Sequence, residues 1–166
     1  MRNKIGLFLI ILTMGACASI GSSVASDNEE QAVRVALDGF YASLNVMFIG
    51  DPNPAKAVWS HSEDIAYMGA DGGYQVGWKA MYADWEKQAN LKIGGKVEIS
   101  NVVVTVGKDI AVTHQLVKSA DVGGESLNKD DALRASSVFR KEDGKWKMIG
   151  HHVDVIPELK KEISGK

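Results

Sequence analysis

Between Val33 and Phe48 the apolar positions Val33, Leu37, Phe40, Leu44 and Met47 or Phe48 recur at helical spacing, which gives one apolar helix face. Asp27 or Asn28 stands where a helix cap belongs, and Glu29 and Glu30 suit a positive first turn. Gly50-Asp-Pro-Asn-Pro54 stops the helix, and a short helical turn is expected from Ala55 to Trp59. Ile65–Met68 reads as a strand, Ala70-Asp-Gly-Gly73 as a turn, and Tyr74–Val76 as a short returning strand. After Gly77, Trp78, Met81, Tyr82 and Trp85 form an aromatic stripe along a second long helix, which ends at Gly94-Gly95.

From there the pattern alternates. Lys96–Val106, Ile110–Ala120, Ala132–Lys141 and Lys145–Ile156 read as four long strands. Gly107-Lys-Asp109 and Asp143-Gly144 are hairpin turns, and Val122–Asp130 is a longer loop. This order predicts an α+β domain in which N-terminal helices pack on the concave face of a curved antiparallel sheet. Such a cone-shaped architecture leaves an interior where a small ligand is commonly held.

A two-residue turn at Asp143-Gly144 sets Glu142 opposite Lys145, Lys141 opposite Trp146, Phe139 opposite Met148, and Ala135 opposite His152. Strict alternation then places Trp146, Met148, Gly150, His152 and Asp154 on one face, and Ile149, His151 and Val153 on the other. The face with the larger side chains is assigned to the interior. His152 and Asp154 are therefore expected inside the cone, with Asp154 orienting the imidazole. Val138, Ile149, His151 and Val153 are expected on an apolar convex face, which suits a homodimer interface. A bulge in the last strand would change this division.

The first residues change the domain boundaries. Met1–Lys4 is cationic and Ile5–Met14 is an apolar run too short to span a bilayer, so residues 1–25 read as an export signal and 26–166 as the domain. Cleavage after Ala25, after Ala18, or before a lipidated Cys17 all fit the local residues. The expected location is periplasmic, with a lipid anchor if Cys17 is modified. Cys17 is the single cysteine, so the domain has neither disulfide nor thiol nucleophile. Net charge is −2, becoming −4 once Arg2 and Lys4 are removed, and without a basic block a nucleic-acid partner is not expected. No cofactor motif is present.

Two functions compete for the expected cavity. In one, Trp59, His61, Trp78, Tyr82, Trp85 and His114 bind a small apolar or aromatic molecule. In the other, His152, oriented by Asp154, serves as general acid or base, and Tyr67 or Tyr82 donates to a developing oxyanion in an isomerase, cyclase or dehydratase. A metal held by His61, His114 and His152 is a third possibility, drawn from three elements without ligand-like spacing.

The stretches Trp59–Trp78, "WSHSEDIAYMGADGGYQVGW", and Arg134–His152, "RASSVFRKEDGKWKMIGHH", resemble the SnoaL-like family of the nuclear transport factor 2-like superfamily. The likeness covers roughly residues 30–157. It implies a cone-shaped, cystatin-like α+β fold and dimerisation through the sheet, with members that are enzymes and others that only bind ligands. The resemblance to ketosteroid isomerase implies a carboxylate base within the strand before the central helix. Here Ile65–Met68 carries none, so that chemistry is not expected. The resemblance to the calcium/calmodulin-dependent kinase II association domain implies an inward histidine at His152.

Overall fold

The computed structural model describes residues 18–120 and 132–154. The apolar run of the expected export signal, Cys17, the expected loop Val122–Asp130, and the chain beyond Asp154 lie outside the described residues.

Nine elements follow in the order α1 (Ala18–Phe48), α2 (Ala55–Val58), β1 (Ala66–Met68), β2 (Tyr74–Val76), α3 (Trp78–Leu91), β3 (Lys96–Val106), β4 (Ile110–Ala120), β5 (Leu133–Glu142) and β6 (Lys145–Val153). Helix α1 begins before the expected cap, because Ala18–Ser26 holds no proline to interrupt it. The strands form one curved sheet in the order β2-β1-β6-β5-β4-β3. Every neighbouring pair is antiparallel except β1 and β6, which run parallel, so the sheet is mixed rather than wholly antiparallel.

The apolar stripe of α1 lies against the concave face. Val33, Leu37, Phe40, Leu44, Met47 and Phe48 are all buried, together with Trp59, Trp85, Met81, Phe139, Trp146 and Met148. Burial of this area drives the helix onto the sheet, and polar contacts fix its position. Strand β3 is a sheet edge, and an edge leaves backbone groups without strand partners. Asn45 on α1 meets two of them, accepting from Val97 N at 2.7 Å and donating to Val97 O at 3.0 Å. At the other side of the cone, Glu29 accepts from Lys141 Nζ at 2.6 Å and from Trp146 Nε1 at 2.9 Å.

Asp143 and Gly144 both have positive φ, 48° and 76°, which is the type I′ geometry that suits the twist of a two-residue hairpin. The pairs Glu142–Lys145, Lys141–Trp146 and Phe139–Met148 form as the turn dictates. Then the ladder slips. Val138 pairs with Gly150, so Ile149 is an extra residue and β6 bulges. From the bulge onward the faces exchange relative to simple alternation: Ala135 pairs with Val153, His151 and Val153 are buried, and His152 is exposed. A second slip between Ser100 and Val103, at Asn101 with φ 54°, bends β3 in the same way.

Candidate functional site

The corrected register aligns four polar residues in a file across the concave face. Thr113 on β4 is opposite Ser137 on β5, Ser137 is opposite His151 on β6, and His151 is opposite Tyr67 on β1. All four are 5% exposed or less. Three strand-to-strand steps of about 4.8 Å give the file a length of roughly 14 Å. On one side it is bordered by Ala111, Phe139 and Met148, and on the other by Gln115, Ala135 and Val153. Phe40 and Tyr41 of α1 cover it, with ring centroids 4.5 Å and 6.2 Å from that of His151.

Hydrogen bonds join the middle of the file to Gln115 and to Tyr41 of α1. Gln115 Nε2 donates to Tyr41 Oη and to Ser137 Oγ, both at 3.1 Å. Ser137 Oγ lies 2.9 Å from His151 Nδ1. Ser137 accepts from Gln115, and its own proton is available to His151 Nδ1. Burial pushes the His151 imidazole down to about 3, and the neighbouring His152 acts in the same direction. The ring is thus neutral near pH 7. Burial pushes the Tyr41 phenol up to about 12, against a smaller opposing effect of its bond to Gln115. Tyr67 is also pushed up, first by burial and then by the charges of Asp71 and Asp84.

Among the described residues, four buried side-chain polar atoms lack a hydrogen-bond partner: Thr113 Oγ1, Gln115 Oε1, Trp59 Nε1 and Trp85 Nε1. An unpartnered buried polar atom costs about 1–3 kcal/mol, so four in one interior require an explanation.

Among the expected site residues, Tyr67, Trp59 and Trp85 are in the interior, with Trp59 and Trp85 centroids 6.4 Å apart. The others are elsewhere. His152 faces out. Asp154 forms an ion pair with Arg134 at 2.8 Å, which holds its carboxyl below the usual range. Neither residue enters the cone, because the Ile149 bulge exchanged the faces. His114 faces out as well, 2.9 Å from Ser136 Oγ, in a surface pocket of about 320 Å³ with Asn101, Val103 and Arg134. It occupies the outward phase of β4, in which Ala111, Thr113 and Gln115 are the inward residues.

His61, Trp78 and Tyr82 stack on the outer side of α3. The His61–Trp78 centroids are 4.1 Å apart and those of Trp78–Tyr82 5.0 Å, while Lys56 Nζ lies 4.8 Å from the Tyr82 ring centre. Helical rotation separates Trp78 and Tyr82 from the deeply buried Met81 and Trp85. Of the expected convex set, Val138 remains outward and Ile149 is half-buried at the bulge, whereas His151 and Val153 point inward. Among the described residues, no group of three or more His, Cys, Asp or Glu is arranged to hold a metal. Sequence reasoning missed His151, Ser137, Gln115, Thr113 and Tyr41. The available signal was Gly150, since glycine inside a strand often marks a bulge.

Residues 33–156 match the family model for the SnoaL-like domain. The chain belongs to that family. Comparison with curated proteins gave no match. Solved structures similar to this SnoaL-like domain include a proposed dehydratase of the nuclear transport factor 2-like family from Streptomyces avermitilis, at 18% identity and TM-score 0.67, covering 79% of this chain and 98% of that one. A proposed calcium/calmodulin-dependent protein kinase type II association domain from Thiobacillus denitrificans has 20% identity and TM-score 0.62, covering 74% and 94%. A proposed ketosteroid isomerase from Shewanella frigidimarina has 16% identity and TM-score 0.58, with the same coverage. At these identities the likeness establishes the fold, nuclear transport factor 2-like and cystatin-like, and leaves the chemistry to the residues.

Proposed function

We propose that this SnoaL-like domain binds a small, largely apolar molecule in the cone and holds its polar group on the file Thr113–Ser137–His151–Tyr67. The observation that carries this reading is the pair of unpartnered oxygens, Thr113 Oγ1 and Gln115 Oε1, beside a connected chain of neutral hydrogen-bonding groups in an otherwise apolar interior. Phe40, Trp59 and Trp85 supply aromatic area around it. The described interior is closely filled, so binding proceeds from a more open arrangement of α1 against the sheet. Comparing native with denatured mass of the purified protein tests the reading. A mass lost on denaturation supports it, and an unchanged mass together with no binding of naphthalene contradicts it.

Binding is favoured over acid–base catalysis by the state of His151. A catalytic base works best with a proton affinity near the working pH, and an imidazole pushed down to about 3 is far from that. For the outer face, the exposed Tyr74, Val76, Val103 and Ile110 support a homodimer through the sheet, which sedimentation at two concentrations checks.

A further inference from the structure

The bulge in β3 shapes the outer face of the sheet. Asn101 has φ 54°, and the ladder between β3 and β4 slips between Ser100 and Val103. Beside this slip is the surface pocket of about 320 Å³. It is lined by Asn101 and Val103 of β3, His114 and Leu116 of β4, and Arg134 and Ser136 of β5, and its lining includes no Asp or Glu. Val103 and Leu116 form its apolar part, and the other four residues supply donors. Asn101 brings an amide NH₂. His114 Nδ1 lies 2.9 Å from Ser136 Oγ. Whichever of the two donates in that bond, the pair keeps one donor: Nε2–H of the imidazole when Ser136 donates, the serine hydroxyl when Nδ1 donates. Arg134 meets Asp154 through Nε at 2.8 Å, a bond that does not use the two Nη groups of the guanidinium. The Arg134 side chain is 80% exposed, and an exposed ion pair is weak, so a second anion can share the fork.

We propose that this pocket binds the oxyanion of a small molecule, a carboxylate or a phosphate, with a short apolar body resting on Val103 and Leu116. His114 and Leu116 belong to the outward phase of β4, whereas Thr113 and Gln115 face the cone, so the inference is independent of what the cone holds. The donors select the charge. A cation meets Arg134 without a carboxylate in the lining to offset it, and a neutral alcohol gains no charge-assisted bond between two ions. The protein as a whole carries a net charge of −2, so general attraction does not draw anions to it and the binding is local.

The test titrates the ¹⁵N-labelled full-length protein with phenyl phosphate, benzoate and benzyl alcohol, followed by NMR. Val103 also belongs to the surface offered for the homodimer, so the titrations use the lower of the two sedimentation concentrations. The expected result is a saturable shift of the Asn101, Val103 and His114 amide signals with phenyl phosphate, benzoate or both, and none with benzyl alcohol at the same concentration. The two anion arms decide between phosphate and carboxylate. Arg134→Gln weakens binding about tenfold, the loss of one charge-assisted hydrogen bond. Asp154→Asn releases the same guanidinium and tightens binding, whereas mere disturbance of the strand ends would weaken it in both variants. No saturable shift with either anion, equal shifts with benzyl alcohol, or an affinity unchanged in Arg134→Gln overturns the proposal.

Discussion

His151 Nδ1 lies 2.9 Å from Ser137 Oγ, directly across the β5–β6 ladder and out of reach of water. Burial keeps the imidazole neutral, and this pairing ties it to Ser137 in the middle of the polar file.

Stability therefore depends on pH through His151. Its folded-state value, about 3, is below the ordinary 6.5, so the unfolded chain takes up a proton in that window and the folded chain does not. Stability is fully present above pH 6.5 and is lost as pH falls toward 3, with a slope of about 1.4 kcal/mol per pH unit for one proton. Asp64 and Asp154, held low by Arg140 and Arg134, add the same sign only below their ordinary value of 3.8. Urea unfolding between pH 6.5 and 4.5 should show the slope, and His151→Gln should remove most of it.

Ser137 and Thr113 lie side by side yet should respond oppositely. Ser137→Ala leaves His151 Nδ1 and Gln115 Nε2 short of a partner and should cost about 1–3 kcal/mol. Thr113→Val deletes a hydroxyl that has no partner and keeps the shape, so stability should stay level or rise. If Thr113 contacts the ligand, the same change weakens binding. Urea midpoints and a naphthol titration on each variant separate these effects.

Gly69→Ala should disturb the Tyr67 end of the polar file. Gly69 is not among the residues of positive φ, so alanine is acceptable to the backbone, but its Cβ displaces Asp71 and the Tyr67 hydroxyl. Because Tyr67 is buried, the expected outcome is a lower urea midpoint than that of the parent, by about 1–3 kcal/mol of stability.

Phe40 contacts Tyr41, Trp59, Trp85 and His151 and is fully buried. Phe40→Ala should cost about 3–5 kcal/mol, measurable as a lower urea midpoint with a similar slope.

The sequence showed the architecture through its two periods, and β3 and β4 run over the very segments whose alternation marked them. Asp143-Gly144 gave the hairpin register up to Phe139–Met148. The site was less legible for one physical reason. A strand has a period of two, so the single extra residue Ile149 reverses every side chain beyond it, and hydrophobicity alone does not separate His151 from His152. The aromatic stripe was divided because helical rotation puts Trp78 and Tyr82 on the helix flank, where Trp78 stacks on His61 and Tyr82 tilts against Trp78.

The most direct measurement is diethyl pyrocarbonate labelling of the His152→Asn variant, followed by peptide mass spectrometry, so that His151 is the only histidine in its strand. The account predicts that His61 and His114 are modified rapidly in the folded protein while His151 is protected until urea unfolds it. Modification of His151 at the rate of His114 in folded protein would contradict the inward register, and with it the polar file on which the binding function rests.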